Sequence, residues 1–234
     1  MTAAAHVGIA PSILTADLGR LADAVAAAEA GGADLMHIDV MDGHFVPQLS
    51  FGPLIVAAVR RATRLPVEAH MMVADPLSQL APLAEAGADR LIFHLEAAPQ
   101  PQQAIARVRE LSCEAGIAIS PQTAAASLDP WLAELDMVTV MLVHPGHGGQ
   151  ELLPDQLEKV RALRRSAESA GLTLPIEVDG GVKVHNAASC VEAGATLLVA
   201  GSAVYNERET PAEAIAGLRA VLPRPASAAP YGTP

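Results

Sequence analysis

The chain has 234 residues, 51% hydrophobic and only 3% aromatic, with 15 Lys and Arg against 26 Asp and Glu. A formal net charge of -11 speaks against nucleic acid or an anionic membrane as partner, since both reward clustered cations. A small phosphate ester stays open, because backbone N–H groups at helix N-termini hold phosphate without side-chain cations.

Eight short apolar or β-branched runs follow one another along the chain: Val7–Pro11, Leu35–Val40, Val67–Met72, Arg90–His94, Gly116–Ser120, Met137–Val143, Pro175–Asp179 and Thr196–Ala200. Each is read as a strand, and a helical stretch is expected after each. The first helix has Asp17 as its N-cap, with Leu18, Leu21, Val25 and Ala28 on one face. The sixth carries Leu153, Leu157, Val160, Leu163 and Ala167 at similar spacing, and the last ends near Leu222.

A short pattern closes several of these helices. Glu-Ala-Gly recurs at Glu29–Gly31, Glu85–Gly87, Glu114–Gly116 and Glu192–Gly194, with Ser169-Ala170-Gly171 as a variant, and each glycine is read as a C-cap. Their separations approach multiples of one helix-plus-strand unit of ~27 residues, the mark of a parallel sheet.

Eight such units in one domain, residues 1–222, predict an α/β fold of the (β/α)8 barrel type rather than a doubly wound open sheet. Alanine supplies about a fifth of the chain, which suits regular helix-on-sheet layers. The Pro/Ala/Ser-rich tail, 223–234, is expected to be disordered. Cys113 and Cys190 are both read as helical, reduced and buried, without zinc or disulfide spacing. No apolar run reaches the ~20 residues of a membrane span and no leader opens the chain, so a soluble, cytoplasmic protein is expected.

Polar residues at strand C-terminal ends face the active site of such a barrel. Here the second strand ends His37-Ile38-Asp39, with both polar side chains on one face. His70, His94 and His144 occupy the third, fourth and sixth strand ends, and Asp179 the seventh. Two imidazoles and two carboxylates suit a borderline divalent metal such as zinc, iron, manganese or cobalt. Asp39 and Asp179 approach from nearly opposite sides of the ring, an arrangement that permits inversion at a carbon between them. Glycine clusters at Pro145–Gly149, Gly180-Gly181 and Gly201-Ser202 suit an anion approached by backbone amides.

The stretch His37-Ile38-Asp39-Val40-Met41-Asp42-Gly43-His44-Phe45-Val46-Pro47 closely resembles a motif of the ribulose-phosphate 3-epimerase family. Ile9–Leu14, His70-Met71-Met72, Pro145–Gln150, Glu177–Gly181 and Ala200–Ala203 are similar to further family motifs. The resemblance implies a metal-dependent epimerase that inverts C3 of D-ribulose 5-phosphate to D-xylulose 5-phosphate through an enediolate. It implies His37, Asp39, His70 and Asp179 as ligands of one divalent ion, and Asp39 and Asp179 as the acid/base pair. Ser12 and His70 would touch the sugar. Gly146, His147, Gly148, Gly149, Gly180, Gly181, Gly201 and Ser202 would hold the phosphate, and Met41, Met72 and Met141 would line the site. The partner is a small ketose phosphate, with no nucleic acid or membrane, and the family is commonly homo-oligomeric.

Three positions depart from the family pattern: His144 for Asn, His147 for an aromatic residue and Ser120 for Asn. They keep a hexulose-phosphate 3-epimerase, acting for example on D-allulose 6-phosphate, in play beside the pentulose reading. A binding barrel without catalysis and a related decarboxylase or aldolase barrel are the remaining alternatives. Intact Asp39 and Asp179 speak against the first, and the lack of a strand lysine against the second. Asp42 and His44 are read as loop-shaping, and Lys183 as a solvated charge at a helix start.

Overall fold

In a computed structural model, residues 6–223 are described. They form eight parallel strands: β1 (Gly8–Pro11), β2 (Met36–Met41), β3 (Val67–Met72), β4 (Arg90–His94), β5 (Glu114–Ile119), β6 (Met137–Met141), β7 (Ile176–Asp179) and β8 (Leu197–Ala200). The sheet runs β1-β8-β7-β6-β5-β4-β3-β2. A Ser12–His37 bridge and a hydrogen bond from Asp34 N to Ile9 O (3.0 Å) bring its two edges together into a barrel. The fold is therefore the expected (β/α)8 barrel. The expected tail lies outside the described residues apart from Pro223.

Among the described residues, seven α-helices surround the sheet: α1 (Leu21–Ala30), α2 (Pro53–Ala62), α3 (Leu77–Glu85), α4 (Pro101–Glu110), α5 (Leu157–Ser169), α6 (Val184–Glu192) and α7 (Pro211–Val221). The expected helix between β5 and β6 is replaced by two 3-10 turns, Ala125–Leu128 and Leu132–Glu134. Pro121 and Pro130 interrupt that segment, leaving too few uninterrupted residues for a packed helix. Buried Leu128 and Leu132 cover the sheet there instead.

Local readings are corrected at four points. Asp17 caps a 3-10 turn (Leu18–Arg20) ahead of α1, and Leu18 is exposed rather than part of its buried face. Leu153 precedes α5, whose buried face is Leu157, Val160, Leu163 and Ala167. Cys113 is half-buried in the loop before β5 rather than helical, while Cys190 is buried in α6 as expected; both are free thiols. Glu114-Ala115-Gly116 lies in β5 and caps nothing, because the chain leaves α4 through Ser112 at φ 59°.

The period of two along each strand sorts side chains into two compartments. Ile9, Ile38, Ala69, Phe93, Ile117, Val140 and Val178 face outward into the main core beneath the helices. Ala10, Leu35, Ile92, Ala118, Met137, Leu197 and Val199 form a second cluster inside the barrel. Gly116 belongs to the inner set: a Cβ there would stand 2.9 Å from Ile92 Cγ1 and 3.0 Å from Met137 Cγ.

At the opposite end from the strand C-termini, one polar side chain pins each strand pair. Asp34 accepts from Ile9 N (2.7 Å), Asp89 from Val67 N (2.8 Å), Asp136 from Ala115 N (2.8 Å) and Thr196 from Ile176 N (3.0 Å). Each residue stands just ahead of an even-numbered strand and caps the first turn of backbone in the preceding one.

Candidate active site

The inward positions at the C-terminal ends of β2, β3 and β7 are polar. His37 and Asp39 on β2, His70 on β3 and Asp179 on β7 offer four ligand atoms that all lie within 4.8 Å of one another. His37 Nε2 is 3.4 Å from Asp39 Oδ1 and 3.9 Å from Asp179 Oδ2. His70 Nδ1 is 3.4 Å from Asp39 Oδ1 and 3.3 Å from Asp179 Oδ2. Both nitrogens are buried without a hydrogen-bond partner among the described residues. Two buried imidazole nitrogens aimed at two carboxylates fit a divalent cation with mixed nitrogen and oxygen ligands.

The electrostatics agree with a site built for positive charge. Burial opposes a proton on His37, but the Asp39 carboxylate beside it outweighs burial and holds its pKa well above the usual imidazole value. Burial also opposes charging of His70, and the nearby Asp179 and Asp39 carboxylates outweigh it and raise its pKa. Burial pushes Asp39 the other way from His37 and His70, whose attraction wins and holds its carboxyl far below the ordinary range.

Each imidazole is braced from behind. His37 Nδ1 meets Glu68 Oε1 at 2.8 Å, and Arg90 Nη1 donates to Glu68 Oε2 at 2.9 Å. Arg90 is itself clamped by Glu114, to which its Nε donates at 2.7 Å. His70 Nε2 meets His94 Nε2 at 2.9 Å. Asp39 is braced too, since Ser12 Oγ donates to its Oδ2 at 2.5 Å. Burial and the Glu68 charge push the Glu177 carboxyl well up, and Thr139 Oγ1 donates to its Oε1 at 2.9 Å.

Above this cluster lies a cleft. Its walls include Ser12, Asp39, Asp179, the three methionines Met41, Met72 and Met141, and the glycine-rich loop after β6. Gly180, Gly181, Gly201 and Ser202 complete the rim. Gly181 sits at φ +68° and a Cβ there would be 2.3 Å from Leu152 N, so only glycine lets the loops after β6 and β7 meet this closely. Gln150 Nε2 donates to the carbonyls of His144 and His147, both at 2.8 Å, and so braces the glycine-rich loop.

The sequence-expected residues divide clearly. His37 and His70 are fully buried behind the cleft, so neither belongs to its walls. His144 is not at a strand end, because β6 stops at Met141, and its side chain is exposed away from the cleft. Ser120 is buried beside His94 and also stands off the cleft walls. Of the three departures only His147 lines the cleft. Asp42 shapes its loop, accepting from His44 N, Phe45 N and Ala74 N at 2.7–2.9 Å. Lys183 caps α6 and pairs with Glu151 at 2.5 Å, and neither it nor Lys159 reaches the cleft.

Glu68, Arg90, Glu96, Thr15 and Gln150 went unread in the sequence. Glu68 and Arg90 carried a signal, since each is a charge inside an apolar strand and must be paired there. Thr15 carried none. Its Oγ1 is buried without a partner at the cleft wall, close to Gly201 and Gly148.

Comparison with known proteins now places the chain. Residues 8–205 match the model of the ribulose-phosphate 3 epimerase family. A ribulose-phosphate 3-epimerase of Synechocystis sp. is 44% identical over 92% of this chain and 94% of its own length. One of Bacillus subtilis is 45% identical over 87% and 94%. In fold alone, a 3-hexulose-6-phosphate synthase from Salmonella typhimurium is similar, with a TM-score of 0.70 at 17% identity over 92% of this chain and 97% of that one. The chain belongs to the ribulose-phosphate 3-epimerase family.

Proposed function

We propose that the chain is a metal-dependent epimerase that interconverts D-ribulose 5-phosphate and D-xylulose 5-phosphate by inverting C3. The observation that carries this is the pair of unpartnered imidazole nitrogens facing Asp39 and Asp179 at the floor of a glycine-rimmed cleft. His37, Asp39, His70 and Asp179 would hold one divalent ion, zinc, iron, manganese or cobalt. When bound, that ion would supply positive charge that stabilises the enediolate and so lowers the barrier to forming it.

The chain's own residues supply proton transfer and orientation. Asp39, held ionised and braced by Ser12, takes the C3 proton from one side of the sugar. Asp179, on β7, must start protonated and gives its proton to the other side; the proton left on Asp39 and the one lost from Asp179 are exchanged with solvent between turnovers. Exchange of roles runs the reaction backwards. Met41, Met72 and Met141 give the planar intermediate an uncharged, polarizable wall. Backbone amides of Gly146, His147, Gly148, Gly149, Gly180, Gly181, Gly201 and Ser202 suit the phosphate. His147 alone among the departures lines the cleft, which supports a part for it in preference between pentulose and hexulose phosphates.

Proton NMR of the metal-loaded enzyme with D-ribulose 5-phosphate in D2O tests the reading. Loss of the C3–H signal together with growth of xylulose 5-phosphate is expected, with slower exchange on D-allulose 6-phosphate. No exchange on either sugar in metal-loaded protein would refute an epimerase.

A further inference from the structure

His94 is fully buried at the end of β4, and nothing in the proposed chemistry uses it. Its ring stacks on His70 with centroids 5.1 Å apart and planes 21° apart, and Phe45 covers it at 4.7 Å.

With a cation facing His70 Nδ1, the hydrogen bonds leave one consistent arrangement of protons. His70 Nδ1 faces Asp39 and Asp179 without a partner; to present a lone pair there, it must carry its proton on Nε2. Nε2 stands 2.9 Å from His94 Nε2, and two nitrogens at that distance share one hydrogen. His94 therefore accepts at Nε2 and carries its own proton on Nδ1. That N–H points to Glu96 Oε2 at 3.2 Å, with Ser120 Oγ a second acceptor at 3.3 Å. The other oxygen, Glu96 Oε1, already accepts from Ser120 N at 2.8 Å and from the Thr123 hydroxyl. A carboxylate that only accepts, at the far end of the relay, selects the tautomers of both rings.

We infer that Glu96 is a positioning residue: acting through His94, it keeps the lone pair of His70 Nδ1 turned toward Asp39 and Asp179. The inference rests on the metal reading of the site. It also gives the two imidazoles different supports, a direct buried carboxylate for His37 and a two-step relay reaching the partly exposed Glu96 for His70.

Two variants separate this role from packing. In Glu96→Gln, the Ser120 N–H and Thr123 hydroxyl keep the amide oxygen at the Oε1 place, so the amide NH2 faces His94 Nδ1. A donor there drives His94 to its other tautomer, which in turn places the His70 proton on Nδ1 and removes the lone pair. In Glu96→Ala, the Ser120 hydroxyl can accept from or donate to His94 Nδ1, so the native tautomers are no longer enforced but are not opposed. Chelator-competition titration with zinc is therefore expected to show Glu96→Gln weaker than wild type by at least about tenfold, toward the hundredfold of lost supporting contacts, with Glu96→Ala closer to wild type. A packing role predicts the reverse order, because Ala removes more atoms.

Zinc affinity within twofold of wild type in Glu96→Gln, or Glu96→Ala weaker than Glu96→Gln, overturns the inference. If the wild-type chain binds no zinc, the metal reading itself has failed. The His94 tautomer, read from 1H–15N spectra of the metal-free chain, then decides the role of Glu96 separately: a swap in Glu96→Gln supports it and an unchanged His94 tautomer overturns it.

Discussion

His37 and Glu68 stand directly opposite each other on β2 and β3, and the 2.8 Å contact between Nδ1 and Oε1 turns the far nitrogen of His37 toward Asp39 and Asp179. Burial alone would neutralise Glu68; the His37 contact and the Arg90 charge instead hold its carboxyl at about 2. Glu68→Gln is expected to weaken zinc binding by ~10–100-fold, measured by chelator competition. It also leaves the Arg90 charge partly unpaired in the barrel interior, so thermal unfolding should move down by several degrees.

Asp39→Asn and Asp179→Asn are expected to lower turnover by at least ~100-fold each, the usual scale of a lost general acid or base. Assay of D-ribulose 5-phosphate conversion, with metal content measured in each variant, checks this. In D2O, Asp179→Asn should keep more C3 exchange than conversion, because Asp39 can still take and return the proton on its own side. Full turnover in either variant would refute the acid/base pair.

Removing the metal should abolish conversion and lower thermal stability together. A ligand that binds only the folded chain adds about 2.7 kcal/mol at a concentration of 100 Kd. Calorimetry of chelator-treated protein, before and after zinc is returned, is expected to show a rise in Tm in parallel with recovered activity. In His37→Ala the rise should vanish.

Thr15→Val removes a hydroxyl that has no partner among the described residues and that sits at the cleft wall near Gly201. KM for the phosphorylated sugar should rise, on the order of 5–10-fold for one lost hydrogen bond, with kcat little changed. Inorganic phosphate should weaken as an inhibitor by the same factor. A Thr15→Ser enzyme should behave like wild type.

The barrel was legible because its strands are buried on both faces and separated by helices, so each apolar run stood alone in the sequence. The one misplaced helix, between β5 and β6, fell where Pro121 and Pro130 interrupt an Ala-rich stretch whose composition still looked helical. His37, Asp39, His70 and Asp179 were readable as polar residues at strand ends. His144 was misread because residues 142–143 extend the apolar pattern of β6 past the point where its pairing stops. Supports such as Glu96 escape a linear reading, since its partners at Ser120 and Thr123 lie across the next strand connection.

The pins at Asp34, Asp89, Asp136 and Thr196 divide the ring into four successive strand pairs, each fastened within itself. Counted in these quarters, the chemistry is uneven. The first quarter brings His37 and Asp39, the second His70 and the fourth Asp179. The third brings no member of the cluster, and it is the quarter in which two 3-10 turns stand in for the helix joining its strands. Fourfold repetition thus governs the closed end of the barrel, while the open end is free to break it.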